Sequence, residues 1–146
     1  GPLTGSYCQD VRVCIYDGKM HPVDSNDMAF MIASTMAFKN NFVKAKPQIL
    51  EPIYDVDILC SDTVMGDVMS DLQTRRAMIM GMDSDAHYQK IQARVPLAEL
   101  YKYSSSLRSI TQGRAKFHMQ FAEYAAVPND IQRQLIEAHK EELQEA

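Results

Sequence analysis

Apolar and polar side chains alternate most regularly between Arg114 and Phe121. Ala115, Phe117, Met119 and Phe121 fall on one side of an extended chain, and Arg114, Lys116, His118 and Gln120 on the other. A period of two marks a strand with one buried face. The same test predicts a strand at Val11, Val13 and Ile15, stopped by the turn pair Asp17-Gly18. A helix capped by Ser25 or Asp24 then runs to about Lys44. Met28, Ile32 and Met36 form one row on it, and Ala29, Ala33 and Ala37 a row small enough for close backbone approach. Pro47 follows its end, and a domain boundary is placed there.

Six elements come next. A strand spans Pro52 to Cys60, with Tyr54, Val56 and Ile58 on one face. A helix spans Gly66 to Arg76, with Val64, Val68 and Leu72 in register. Met78, Met80 and Met82 mark a second strand, where the methionines are expected in the core, and Ile91, Ala93 and Val95 a third. Leu97, Leu100, Tyr103 or Ser104, and Leu107 mark a second helix, and the Arg114–Tyr124 strand closes the set. A tail helix begins at Pro128-Asn129-Asp130, with Ile131, Leu135, Ala138 and Leu143 inward. The order βαββαβ predicts an α+β, ferredoxin-like sandwich: an antiparallel sheet with both helices on one face. Residues 1–46 offer only a strand and a helix, too little to bury for an independent fold. Either they pack on the second domain, residues 47–146, or partner strands N-terminal to them complete their sheet.

Composition narrows the classes. The chain has 146 residues, 46% of them hydrophobic, and a net charge of −4. Its last 18 residues hold five acids against two bases, so the rest is nearly neutral and leaves room for a basic face. Leu100 to Ala122 contains no acid at all, leaving Lys102, Arg108, Arg114 and Lys116 uncompensated within that run. Three cysteines without CxxC spacing argue against a disulfide framework or zinc ribbon, and with ten methionines they suit a reducing, cytoplasmic setting. No apolar run is long enough to predict a membrane span.

Catalytic motifs are missing. There is no GxxxxGK[ST], GxGxxG, GxSxG or HExxH pattern, and the four histidines lie far apart. No cofactor or metal is expected for this chain. Cys60 reads as a small buried hydrophobe. Arg75-Arg76, at a helix end, either answers the helix dipole or contacts a phosphate. Asp17, Asp24 and Asp27 are better explained by turns and caps than by a cation loop.

The ordered stretches DGKMHPVDSNDMAFMIASTMAF, ILEPIYDV, GDVMSDLQTRRAMIMGM and VPLAELYKYSSSLRSITQGRAKFHMQFAEY resemble the C-terminal end of translation elongation factor G. The resemblance runs from Gly1-Pro2-Leu3 to the tail helix. It implies that residues 1–46 are the second half of the family's fourth domain, a partial βα unit like domain 2 of a small-subunit ribosomal protein. Residues 47–146 are then the fifth domain with its tail helix. It also implies a role in GTP-dependent translation elongation: promoting tRNA–mRNA translocation on the ribosome, with GTP and magnesium held by a G domain that this fragment lacks. His21, with Lys19 and Gly18, matches the tip that meets tRNA and mRNA in the small-subunit decoding site. Arg75, Arg76, Arg108, Arg114, Lys102 and Lys116 become candidates for large-subunit rRNA near the GTPase-associated centre. His21 is expected to act by position rather than by acid–base chemistry, since no carboxylate is evident beside it. A cytoplasmic monomer with no membrane partner is expected. Lys19-Met20, Ala77 and Lys102 depart from the family pattern, Lys102 standing where glycine is usual. The alternative is a free-standing ferredoxin-like regulatory module that binds a small ligand.

Overall fold

The computed structural model describes residues 1–145. In chain order its main elements are α1 (Asp27–Phe42), β1 (Leu50–Ser61), α2 (Met65–Thr74), β2 (Met78–Asp85), β3 (Tyr88–Pro96), α3 (Tyr103–Thr111), β4 (Lys116–Ala126) and α4 (Asn129–Glu145). Backbone proximity divides the chain into two units: Gly1–Ile49 with the segment from Val127 onward, and Leu50–Ala126. The tail helix α4 therefore groups with the first unit, whereas the sequence reading attaches it to the second.

The Leu50–Ala126 unit is the expected ferredoxin-like sandwich. Its four strands are antiparallel in the order β2-β3-β1-β4. Val56, Ile58 and Cys60 on β1 and Ile91, Ala93 and Val95 on β3 are buried, each set at a spacing of two. They meet Val68 and Leu72 of α2 and Tyr103 and Leu107 of α3, each pair four residues apart. Two periods, two and nearly four, thus converge on one core, where each buried aliphatic side chain stabilises by about 1.5–3 kcal/mol. Thr111 is buried too, and its hydroxyl donates to the Leu107 carbonyl at 2.7 Å.

The second predicted helix is split. A 3-10 turn, Leu97–Leu100, precedes Lys102, whose φ of 55° is left-handed, and α3 starts only at Tyr103. Gln112 and Gly113, both at positive φ, end α3, and the Gly113 N–H reaches back to the Arg108 carbonyl at 2.9 Å. β4 then begins at Lys116, leaving Arg114 in the turn.

The methionine stripe is not core. A register shift between Ile79 and Gly81 sets Met78 opposite Arg94 but Met82 opposite Ile91, residues on opposite faces of β3. On this edge strand Met78, Met80 and Met82 are 65%, 57% and 49% exposed. A bulge defeats alternation because one extra residue flips everything beyond it.

In the other unit, Val11–Ile15 forms no strand, because a strand exists only by pairing and no partner runs beside it among the described residues. The α1 cap is Asn26, whose Oδ1 accepts from the Ala29 N–H at 2.8 Å, rather than Ser25 or Asp24. No residue of α1 is buried, and Met28, Ile32 and Met36 are all exposed. On α4 the half-buried face is Ile131, Gln132, Ile136 and His139, while Leu135, Ala138 and Leu143 are exposed. Gln132 sets that face: its amide accepts from the Ile49 N–H at 3.0 Å and donates to the Pro47 carbonyl at 3.4 Å.

Candidate nucleic-acid interface

Gly18, Lys19 and His21 lie on an exposed loop between Asp17 and the α1 cap. Backbone polar groups there must be met locally, and short polar side chains do it. The Asp17 carboxylate accepts from the Gly18 N–H at 2.8 Å, and Ser25 Oγ accepts from the His21 N–H at 2.6 Å. The His21 ring closes the turn, its Nδ1 accepting from the N–H groups of Val23 and Asp24, each at 3.3 Å. Nε2 is then the ring nitrogen that keeps a proton to donate. Contrary to the sequence expectation, a carboxylate does stand beside His21: Asp24 Oδ2 is 3.4 Å from Nδ1. The His21 side chain is still 65% exposed, so the loop presents an imidazole of fixed orientation to its surroundings.

Arg75 and Arg76 are turned inward. Arg75 Nε donates to Asp71 at 2.9 Å, Nη1 to the Glu99 carbonyl at 2.7 Å and Nη2 to Ser106 Oγ at 3.0 Å. Its guanidinium also stacks 4.9 Å from the centre of the Tyr103 ring. Arg76 donates from Nη1 and Nη2 to Glu51 at 2.8 and 2.9 Å, and from Nε to Glu99 at 3.0 Å. These bonds, Glu51's foremost, push its pKa up. Both guanidinium forks are engaged within the unit, tying α2 to α3 and to β1. Adjacent arginines at a helix end carry the same signature in sequence whether they face a phosphate or their own chain, and only the fold separates the two.

Lys102, Arg108, Arg114 and Lys116 are exposed. Among the described residues none of them has a carboxylate within ion-pair distance. Arg114 reaches only its neighbour Gln112, at 3.1 Å, and Lys102 lies 5.1 Å over the Tyr101 ring. The acid-free run is nonetheless not an acid-free surface. Strand pairing sets Asp57 opposite His118 and Asp55 opposite Gln120. On the face of the sheet away from the helices, Arg94 is closed between Asp55 and Glu123, at 3.0 Å to each. Lys90 joins the same face, opposite Leu59. Sequence reasoning missed Lys90 and Arg94. Their alternation with Ile91, Ala93 and Val95 was the available signal, but which strand they would neighbour was not.

Cys60 is buried as expected, and burial pushes its thiol pKa up, away from the thiolate form that reacts.

Two family models match the chain in order, the second running from residue 48 into α4. Residues 1–46 match the family model described as elongation factor G, domain IV, and residues 48–135 the model described as elongation factor G C-terminus. Elongation factor G 1 of Desulfotalea psychrophila is 46% identical over 142 residues, which cover 97% of this chain and 20% of that protein. A crystal structure of a protein from Thermus thermophilus matches with a TM-score of 0.69 and 39% identity, covering 86% of this chain and 19% of that one. The chain spans about a fifth of the length of these relatives. Two adjacent family matches in order, a relative at nearly half identity along almost all 146 residues, and the ferredoxin-like sheet lead to one conclusion: the chain belongs to the elongation factor G family.

Proposed function

We propose that this chain is the ribosome-binding C-terminal part of a GTP-dependent elongation factor G-like protein that promotes tRNA–mRNA translocation. The observation that carries the reading is the pair of family matches, domain IV followed by the C-terminus, over nearly the whole chain. In this reading the Gly18–Lys19–His21 loop meets tRNA and mRNA in the small-subunit decoding site. Its imidazole acts by position, stacking on a base or donating to a phosphate from a ring already oriented by Val23 and Asp24. The second unit leans on large-subunit rRNA near the GTPase-associated centre. Lys102, Arg108, Arg114 and Lys116 supply the phosphate contacts, while Arg75 and Arg76 hold the unit that presents them. The chain itself performs no catalysis and takes no cofactor. GTP and magnesium belong to another domain of the parent protein, which works as a monomer in the cytoplasm.

Cosedimentation of the chain with purified ribosomes across a salt series tests this. Neutralising Arg108 and Arg114 together should weaken binding and flatten log affinity against log salt by roughly 0.7–0.9 for each phosphate no longer neutralised. Absence of ribosome association, together with stabilisation by a small ligand in a thermal-shift screen, would favour a free-standing ligand-binding module instead.

A further inference from the structure

We infer that the open face of the sheet holds a seat for one unpaired RNA nucleotide, its phosphate between Lys90 and Lys116 and its base against His118 and Leu59. This rests on the RNA-binding reading above and specifies where, and in what form, the RNA is held.

Register builds the seat. Leu59 in the middle of the sheet pairs with Lys90 on one side and Lys116 on the other. The next outward row sets Asp57 between Gln92 and His118. Lys90 and Lys116 are thus two strand spacings apart, about 10 Å between backbones, so two long ammonium side chains can converge on one phosphate. Between them lies an open, largely apolar depression of about 260 Å³ lined by Asp57, Ile58, Leu59, Lys90, Lys116, Phe117 and His118.

Three features favour a single nucleotide. The depression falls below the range of about 300–1,000 Å³ that drug-sized ligands fill, which suits one sugar and base edge and not a double helix. Leu59 is 42% exposed although its neighbours on β1 are core, and the exposed His118 on the adjacent strand lines the same depression. That apolar and aromatic pair is what an unstacked base needs. Lys116 has no carboxylate within ion-pair distance among the described residues, and Lys90 is held only by a loose ion pair, its Nζ 3.9 Å from Asp57 Oδ2, whereas Arg94 on the same face is closed at 3.0 Å by two carboxylates. Asp83 lies opposite Lys90 on β2, outside the lining of the depression. The net positive charge is therefore modest, and stacking contributes alongside the phosphate contact.

Fluorescence anisotropy with an end-labelled unstructured oligouridylate and a matched RNA duplex tests the seat. The double variant Lys90→Gln/Lys116→Gln should lose about tenfold or more in affinity for the single strand, with the log–log salt slope flattened by roughly 0.7 for the one phosphate no longer neutralised. Asp57→Asn removes the one carboxylate in the depression and should raise affinity severalfold. If the lysine pair fails to fold, that variant decides: a rise supports the seat and an unchanged affinity overturns it. Equal binding of duplex and single strand overturns the unpaired nucleotide. Full binding by the lysine variant, with loss in Arg108→Gln/Arg114→Gln, overturns the seat while leaving the RNA reading intact. Loss of ribosome cosedimentation by the unaltered chain overturns both.

Discussion

Arg76 grips Glu51 with both prongs of its guanidinium, Nη1 to Oε1 at 2.8 Å and Nη2 to Oε2 at 2.9 Å, across 25 residues of sequence. The Glu51 side chain is only 13% exposed, so removing its partner strands a largely desolvated carboxylate. Arg76→Ala should cost about 2 kcal/mol, less than a fully buried pair because the arginine keeps some access to water. Arg76 also sits at a left-handed φ of 54°. Arg76→Gly should therefore cost about 1 kcal/mol less than Arg76→Ala, since glycine adopts that conformation without strain. Urea denaturation of the two variants checks both magnitudes. Equal losses would show that the backbone carries no strain there.

Tyr103 is buried, with its ring edge-on to Phe117 at 5.5 Å, yet its hydroxyl has no hydrogen-bond partner among the described residues. Tyr103→Phe keeps the ring, the Phe117 contact and the Arg75 stacking, and removes only a desolvated polar atom. It should be neutral or stabilising by up to about 1 kcal/mol. A loss above that range in thermal or urea unfolding would mean the hydroxyl is satisfied in solution.

The same phenol predicts an alkaline weakness. Burial above all, with Asp71 adding and Arg75 opposing, pushes its pKa above the ordinary value of 10.0. Above that pH the unfolded chain gives up the proton while the folded chain retains it. Stability contributed by the protonated phenol is thus complete below about pH 10 and falls as pH rises further. Denaturation midpoints measured from neutral pH upward should decline less steeply in Tyr103→Phe than in the parent. Identical slopes would assign the alkaline loss to other groups.

Lys102 holds φ at 55° directly before α3, without a side-chain cap. Lys102→Gly should raise stability by up to about 1 kcal/mol while removing one exposed cation. On the RNA-binding reading it should also lower ribosome affinity slightly at low salt. Stability and affinity moving in opposite directions is the diagnostic, and a destabilised variant would refute the strain argument.

His21→Ala, placed in a full-length factor carrying this chain as its C-terminal part, should slow translocation by about tenfold, or about 1.4 kcal/mol of barrier. GTP hydrolysis should be nearly unchanged. Ser25→Ala, which leaves the ring but frees the His21 N–H from its 2.6 Å acceptor, should give a smaller effect of the same kind. Normal translocation by His21→Ala would reduce the imidazole to a turn-closing group.

The periodicities at Val56–Ile58–Cys60, Ile91–Ala93–Val95, Val68–Leu72 and Tyr103–Leu107 were enough to write down the βαββαβ order and nearly all of the core, because a buried face repeats with the local backbone period and needs no partner to be read. Family membership was legible for a similar reason: ordered motifs are a property of the chain. What pairing decides was not legible. Val11–Ile15 has a strand's alternation but no neighbour among the described residues, the methionine row is broken by a one-residue bulge, and α4 turns Gln132 rather than Leu135 inward because Pro47 and Ile49 offer backbone partners. Charge followed the same rule. Arg75, Arg76, Lys90 and Lys116 are all cations in sequence, and only the fold closes the first two on Asp71, Glu51 and Glu99, leaves Lys90 in a 3.9 Å ion pair with Asp57 and sets Lys90 and Lys116 astride Leu59, since the carboxylates that helix and strand pairing bring alongside decide how firmly each positive charge is held.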